Sequence, residues 1–571
     1  MHYPSPAIVA QDAARRLPRW ALIAICLAYV APGYIGRDPW RNADISGYAH
    51  MLALRDAPFG AWLEPTLMGQ AAESGALMPY WIGALALHLA PDWLAPAFAV
   101  RVPFALLLVA TLVATWLTTF FLAQHRGAQP VAFAFGGEAR PLDYARALAD
   151  ASLLALIATL GLAQLSHETT PALAQLAFAS WIYFGVAALQ PRPRAAWVAL
   201  ALAFPALALS GAPVTALVWA LLTLLGVCLS PDEELPAPRR ARVLSGMAAI
   251  TVGLLVLVAG LDLVRWQLAP PQRWSDWQAL IRLLLWFTWP SWPLVLWALW
   301  RWRHQLMQVR WYRHLGLPVM MASVPLVNTV LTNAPDRALL LALPALATLA
   351  AFALPTLRRS VSALIDWFSV LFFTVWAIVI WVVWLSLQTG IPAKPAANVA
   401  RLAPGFEPVF QWPALIAALL ASLAWLHLAC WRTGRHRTAL WKSLVLPASG
   451  AALCWLLLMT LWLPALNYGR SLAPQMQRVR AVVGEAGCVE TLKLSTAQLA
   501  GAWIHGGWAI EPVGGPVRCD WLLADAQAQA RVDERTWRYV QRVRRPTEKT
   551  DVLLLYRRTA ASSAPALAAD R

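Results

Sequence analysis

The sequence predicts a mainly α-helical, polytopic membrane protein with about thirteen transmembrane helices and a small C-terminal α/β domain. Hydrophobic residues make up 59% of the chain and charged residues only 13%, which is about half the charge of an average soluble domain. Uncharged runs such as 246–261 and 443–466 are long enough to cross a bilayer core of about 30 Å. Many of the 33 tryptophans lie near the ends of such runs, where the indole contacts both lipid and water.

Hydropathy divides residues 1–464 into apolar spans that are joined by short loops. The first span follows Arg15, Arg16 and Arg19 without a convincing cleavage site, which favours an uncleaved signal anchor. The predicted spans are 20–36, 101–123, 149–165, 171–189, 195–209, 211–229, 246–265, 281–300, 315–331, 337–357, 361–387, 413–431 and 443–464.

Basic residues recur in every second loop, which is the pattern of a membrane protein with its positive loops in the cytoplasm. This pattern accounts for most of the net charge of +17, so we do not expect a nucleic-acid partner. It predicts a cytoplasmic N-terminus and a C-terminal region on the periplasmic side of a bacterial inner membrane. The basic positions are Arg126, Arg140 and Arg146; Arg192 and Arg194; Arg239, Arg240 and Arg242; Arg301, Arg303, Arg310 and Arg313; Arg358 and Arg359; Arg432, Arg435, Arg437 and Lys442.

Residues 465–571, the tail domain, differ from the rest of the chain. Runs at 489–494, 519–525 and 551–557 are typical of strands, and helical spacing predicts a helix over 526–545. Cys488 and Cys519 border predicted strands, and a periplasmic location would permit a disulfide between them. The other four cysteines fall within spans, where we expect packing roles: Cys26, Cys228, Cys430 and Cys454.

The first external loop, 37–100, contains the strongest functional signal. Its first 45 residues, 37–81, are dense in Arg, Asp, Trp and Glu, although they lie between apolar segments. Lipid cannot satisfy bare carboxylates or irregular backbone, so this segment must lie outside the hydrocarbon. We therefore interpret it as a reaction site held against the membrane surface.

A series of motifs follows in this loop: Asp44-Ile-Ser-Gly-Tyr48-Ala49, Met51-Leu52, Trp62-Leu-Glu-Pro65, Gly69, Glu73 and Tyr80-Trp81. These motifs resemble the first periplasmic loop of the GT-C glycosyltransferases, closest to the lipid A aminoarabinose transferase and protein O-mannosyltransferase group. Two departures from that pattern are Ile45, where the family has a second acidic residue, and Ser74, where it has lysine. A later family lysine is also missing from 209–213.

The resemblance implies transfer of a sugar from a polyprenyl (undecaprenyl) phosphate to an envelope acceptor such as lipid A, with inversion at the anomeric carbon. Asp44 would be the base that accepts the acceptor's proton, and Glu73 and Glu168 would be further catalytic carboxylates. Each has a simpler interpretation. Asp44 suits the N-cap position of a helix, and Glu73 could simply lie in an exposed loop. Glu168 could stand at the start of the next helix, where the helix dipole stabilises a carboxylate.

Candidate substrate-binding residues surround these carboxylates. Arg37, Arg41 and Arg55 are cations on the external side, suited either to a substrate phosphate or to anionic headgroups. Tyr48 should lie one turn from Asp44 on the same helical face, in a packing or orienting role. His167 is expected to face solvent, near substrate. The remaining candidates are Tyr80 and Arg337, the latter either contacting phosphate or paired with Asp336.

Three alternative functions stay open at this stage. A lipid-linked-glycan transporter would place paired charges in mid-span. A glycan ligase would use a late external loop rich in Arg and His, but 388–412 has only Lys394 and Arg401 as cations. A catalytically inactive GT-C relative would explain Ile45 and Ser74. We expect no cofactor and no metal, because the first loop contains no Asp-x-Asp pair.

Overall fold

The computed structural model describes residues 5–40, 42–72, 75–230, 236–264, 268–307, 312–433, 439–548 and 550–559. Six of its helices begin at a proline, a residue that suits the first helical turn because no backbone N–H is needed there. In the described residues the helices are α1 Arg19–Val30, α2 Ala43–Arg55, α3 Met78–Leu89, α4 Pro96–Ala123, α5 Pro141–Ala158, α6 Leu162–Leu165, α7 Pro171–Ala188, α8 Pro193–Leu209, α9 Pro213–Cys228, α10 Ala237–Gly260, α11 Trp274–Phe287, α12 Ser291–Arg301, α13 Arg303–Leu306, α14 Arg313–Leu331, α15 Pro335–Leu340, α16 Leu343–Ala353, α17 Arg359–Thr389, α18 Ala393–Leu402, α19 Trp412–Thr433, α20 Lys442–Leu458, α21 Leu463–Arg470, α22 Ala473–Val483 and α23 Thr496–Gly501.

The chain is a multi-pass membrane protein, and every predicted span overlaps a helix or a bent helix pair. Among the described residues, six single helices are long and apolar enough to cross a membrane, and two bent pairs raise that number to as many as eight. Four shorter apolar helices and α5 account for the other predicted spans. The six long helices are α4, α7, α10, α14, α17 and α19.

Two predicted spans differ in shape from the expectation. The span predicted at 281–300 is two helices, α11 and α12, that meet at 85°. Pro290 lies at the break and cannot donate the backbone hydrogen bond that a continuous helix needs. The first span is also shorter than predicted, because α1 ends at Val30 just before Pro32.

The membrane core is built around α4, α5 and α7. Helix α7 packs against α4 and α8, and α5 packs against α4, α16 and α20. From Ala147 to Ala158, every residue of α5 is buried. Helix α17 packs on α20 at the periphery and leaves large apolar side chains exposed, as expected of a lipid-facing helix. The site described below lies at one end of this core.

Two helices interrupt the first external loop. Helix α2 begins at Ala43, carries both Asp44 and Tyr48 as expected, and packs against α3. Helix α3 was not predicted, although Met78–Leu89 is strongly apolar and opens with Pro79. Between them, β1 and β2 form a short antiparallel hairpin.

The tail domain contains a five-stranded mixed sheet in the order β4-β3-β5-β7-β6. β3 pairs in parallel with β4 and β5, and β7 pairs antiparallel with β5 and β6. The three predicted strand runs are confirmed as β3, β5 and β7. The chain's strands are β1 Thr66–Leu67, β2 Gln70–Ala71, β3 Cys488–Leu492, β4 Ala509–Pro512, β5 Trp521–Asp525, β6 Trp537–Arg544 and β7 Val552–Arg558.

The helix predicted over 526–545 is wrong. This segment forms a short 3₁₀ turn, Ala526–Arg531, and then the edge strand β6. The prediction relied on Val540 standing three residues from each of Trp537 and Val543, but β-branched and aromatic side chains also favour a strand when a sheet edge is available. Pairing with β7 satisfies the backbone of β6 and buries both side chains.

A disulfide joins Cys488 at the start of β3 to Cys519 just before β5, as the sequence allowed. Replacing Cys488 with alanine should lower the tail domain's free energy of unfolding by about 3–4 kcal/mol, because the bond closes a loop with a sequence separation of 31. Thermal melting of the purified protein would measure the loss. Cys228→Ala is the matched control, since that thiol is free and exposed, and equal melting of both variants would contradict the prediction.

Candidate active site

Asp44 sits at the second residue of α2, and its carboxylate turns away from its own helix. One oxygen accepts hydrogen bonds from Arg37 Nη2 at 2.7 Å and from the Trp40 backbone N–H at 3.1 Å. The other accepts from the backbone N–H and the hydroxyl of Thr169, at 2.9 and 2.8 Å. The N-cap interpretation is therefore wrong, because these bonds tie α2 to the segments on either side of it.

Arg37 and Asp44 form an ion pair whose side chains are 0% and 2% exposed. Burial alone would raise the pKa of Asp44, but Arg37, the nearby Arg101 and the Thr169 bonds hold this pKa below its usual value. Asp44 is thus an anion. Nε and Nη1 of Arg37 are buried without a hydrogen-bond partner among the described residues, so this guanidinium retains donors for a ligand.

Thr169 belongs to the connection between α6 and α7, and close packing fixes its position. The Tyr34 hydroxyl donates to the Ser166 carbonyl at 2.7 Å. Gly47, one turn after Asp44, lies so close that a Cβ there would be 2.7 Å from the Thr169 carbonyl oxygen. Glycine at this position allows α2 to approach the connection closely enough for Asp44 to accept both Thr169 bonds.

Replacing Gly47 with alanine should therefore displace the connection and reduce activity at least tenfold. The contact is with backbone, which cannot rotate aside as a side chain can, so we expect a cost of about 1–3 kcal/mol in stability as well. Gly60→Ala is the matched control, because nothing lies within 4 Å of a Cβ at that position. A Gly47→Ala protein with wild-type turnover and melting temperature would contradict this account of the site.

Glu168 lies beside this cluster and is 7% exposed. Burial raises the pKa of Glu168 to about 7, and the negative charge of Asp44 acts in the same direction, whereas Arg37 and Arg337 oppose it. In the described residues its carboxylate accepts one hydrogen bond, from Gln164 at 3.2 Å. A carboxyl group in this condition can exchange a proton near neutral pH.

Arg101 is a site residue that the sequence analysis missed. It lies in the apolar helix α4, is 5% exposed, and interacts electrostatically with Arg37, Asp38 and Asp44. An arginine within an apolar span is itself a functional signal, and that signal was available in the sequence. Arg337, which was predicted, is half-buried and acts on Glu168 from α15.

Helix α21, which follows α20 at a bend of 71°, closes the site from the end of the membrane domain. Asn467 accepts hydrogen bonds from the Trp40 indole at 3.0 Å and the Asp38 backbone at 3.1 Å. The Arg470 guanidinium lies 5.1 Å from the Trp40 ring and donates to Gln164 at 2.8 Å. A continuous set of contacts thus links Asp44 to Glu168 through Trp40, Arg470 and Gln164.

Three predicted substrate-binding residues lie outside this set of contacts. Arg55 pairs with its neighbour Asp56 at 2.8 Å. Tyr80 is buried against His50. The expectation that His167 faces solvent is wrong: it is fully buried, with Nε2 3.1 Å from the Tyr29 carbonyl. Burial lowers the pKa of His167 to about 3.

Tyr48 is buried in the main apolar core, as expected for a packing role. Ile45 occupies the position where the resemblance places an acid. It is fully buried in an apolar cluster with Leu67 of β1 and with Leu472 and Ala500 of the tail domain. The predicted roles of Arg41 and Glu73, and the departure at Ser74, lie outside the described residues.

No three His, Cys, Asp or Glu side chains in the described part of the chain are grouped to hold a metal ion. The described side chains of the site include the carboxylates of Asp44 and Glu168, which differ in proton affinity, and the guanidinium groups of Arg37 and Arg101. This arrangement can accept a proton and hold an anion.

Comparison with solved structures identifies the fold. The apo crystal structure of ArnT from Cupriavidus metallidurans superposes with a TM-score of 0.57 over 95% of this chain and 98% of that one, at 15% sequence identity. The chain has the ArnT fold. A second ArnT structure, bound to undecaprenyl phosphate, gives a TM-score of 0.55 with the same identity and coverage. No protein-family profile and no curated protein sequence matches the chain.

ArnT is a GT-C lipid A aminoarabinose transferase, so the fold predicted from the resemblance is confirmed. The ArnT fold includes both the helical membrane domain and the C-terminal sheet, because the superposition covers nearly all of both chains. The roles of individual site residues are not settled by a likeness of fold, and they remain predictions.

Proposed function

We propose that this protein transfers a sugar from a polyprenyl-phosphate donor to an envelope acceptor such as lipid A, at the periplasmic face of a bacterial inner membrane. The observation that carries the proposal is the buried Arg37–Asp44 pair on the first external segment, with Arg101 and Glu168 beside it. An ArnT structure bound to undecaprenyl phosphate, which shares this fold, supports a lipid-phosphate donor.

The residues divide the chemistry between them. Arg37 and Arg101 would stabilise the phosphate as it leaves the anomeric carbon. An anionic Asp44, fixed by four hydrogen bonds, would accept the proton of the attacking hydroxyl or hold the group that does. A single displacement inverts the anomeric centre, as in inverting glycosidases.

Ile45 no longer favours the alternative that the protein is a catalytically inactive relative. Ile45 is a packing residue of the interface with the tail domain, so the absence of an acid there leaves the Asp44 cluster intact. A transporter would need charges in mid-span, and the ion pair of Asp366 with Arg432 lies instead towards one end of α17 and of α19.

The test is a transfer assay with purified protein in proteoliposomes. We expect a polyprenyl-phosphate-linked sugar to serve as donor and the corresponding nucleotide sugar to be inert. Mass spectrometry of lipid A and surface glycans from a deletion strain would identify the acceptor as the glycoform that disappears. A deletion strain with unchanged glycans, and protein that transfers nothing from any lipid-linked donor, would contradict the proposal.

A further inference from the structure

His505 brings the tail domain to the edge of the candidate site. It lies in a single π-helical turn, Ala502–Gly506, that ends at Gly507 with φ of 77°. The neighbouring Trp503 and Ile504 pack with Ile45 and Ala49 of α2, the helix that carries Asp44. Single π turns occur often at functional sites, and this one is positioned by the same helix that positions Asp44.

The atom Nε2 of His505 is buried and has no hydrogen-bond partner among the described residues. Burial lowers the pKa of His505, against the influence of Asp38, so the ring is neutral at pH 7. A neutral imidazole has one nitrogen that donates and one that accepts. An unpaired buried nitrogen costs free energy unless a ligand or water satisfies it.

Asp38 is the acidic group that interacts with His505. Its backbone N–H is held by Asn467, but its carboxylate accepts no hydrogen bond from the described residues. Burial raises the pKa of Asp38, and both His505 and Arg101 oppose that rise. Asp38 thus interacts electrostatically both with His505 of the tail domain and with Arg101 of α4.

The position beside Arg101 indicates which part of a donor would reach these groups. Arg101 also acts on Arg37 and Asp44, so it belongs to the cluster that would hold the donor phosphate. In a polyprenyl-phosphate sugar, one oxygen joins that phosphate to the anomeric carbon. Groups that adjoin the phosphate-binding cations therefore face the sugar ring, whose hydroxyls need both donors and acceptors.

We propose that Asp38 and His505 form a subsite for the hydroxyl groups of the donor sugar, so that the tail domain supplies part of the binding site. The proposal rests on the proposed function, since it assumes a lipid-linked sugar. It predicts that these residues distinguish a glycosylated carrier from the bare carrier phosphate.

The experiment compares binding of undecaprenyl phosphate with binding of the same carrier bearing a sugar, using protein in nanodiscs. Asp38→Asn and His505→Ala should each weaken binding of the glycosylated carrier about tenfold or more, and leave binding of undecaprenyl phosphate within twofold of wild type. His505→Gln should recover part of the loss, because its amide both donates and accepts. Matched controls are Asp520→Asn and His427→Gln, which alter exposed residues.

Equally weakened binding of both carriers would contradict the subsite proposal, because it would indicate a role of these residues in phosphate binding or in folding. Thermal melting of the variants would distinguish between these two roles. Unchanged binding of both carriers in all variants, or an effect confined to the KM of the acceptor, would also overturn it. If the wild-type protein binds neither carrier, the proposed function itself fails. If the wild-type protein binds the carriers and transfers sugar, but the Asp38 and His505 variants bind the glycosylated carrier as well as wild type does, only the subsite proposal fails.

Discussion

Replacing Asp44 with asparagine is expected to reduce sugar transfer by about 10²–10⁴-fold, the range typical of a lost general base. The amide is nearly isosteric and can still accept from Thr169, so the geometry of α2 should persist. It cannot, however, balance the buried charge of Arg37, which has no other acidic hydrogen-bond partner among the described residues. Transfer from a lipid-linked donor in proteoliposomes measures the effect directly.

The same substitution should also destabilise the protein, by about 3–5 kcal/mol, because removing one member of a buried ion pair leaves the other uncompensated. Melting temperature must therefore be measured beside turnover, at a temperature where both proteins are folded. Asp520→Asn, an exposed carboxylate of the tail domain, serves as the control. If folded Asp44→Asn protein transfers sugar at the wild-type rate, Asp44 is not the base.

Glu168 should give the enzyme a dependence on pH centred near 7. If its ionised form is needed, kcat/KM will rise with pH through an apparent pKa of about 7. Glu168→Gln should remove that ascending limb and lower the rate about 10²-fold or more. A pH profile measured from 5 to 9 on both proteins tests this, and an unchanged ascending limb in Glu168→Gln would assign the titration to another group.

Stability should show the opposite trend with pH. Folding raises the pKa of Glu168 from 4.5 to about 7, so the folded state binds this proton more tightly than the unfolded state does. The contribution is complete below pH 4.5 and is lost as pH rises through 7. At 1.36 kcal/mol per pKa unit it amounts to about 3 kcal/mol. Glu168→Gln should melt with a flatter pH dependence than wild type over this interval.

Local sequence signals were sufficient for the membrane helices and for three strands of the tail domain. Apolar runs, alternating loop charges and β-rich segments each indicate whether a stretch of chain is buried. They can be recognised within that stretch alone, without knowledge of what it packs against. They failed where partners outside the segment decide the outcome. β6 is a strand because β7 offers an edge. The bend between α11 and α12 is a different case, because Pro290 is a local signal that the prediction of one continuous span overlooked.

The site followed the same division. Asp44 and Glu168 were predicted from the family resemblance and Arg37 as a cation of the first external loop, and the structure brings the three together. Thr169 and Asn467 were missed, because a hydroxyl or an amide has no distinctive spacing. Their importance arises from contacts across 125 and 429 residues of chain. His505 gave no signal, since a lone histidine in a glycine-rich turn is usually a surface residue.

The hydrogen bonds of Asn467 have a consequence for biogenesis. Asp38 and Trp40 are synthesised early, yet Asn467, which accepts hydrogen bonds from both, is available only when α21 has been made. A nascent chain that stops before residue 467 would therefore hold an unassembled centre, however many of its membrane helices are in place. Translation must therefore pass residue 467 of 571 before these contacts between the two ends of the chain can form.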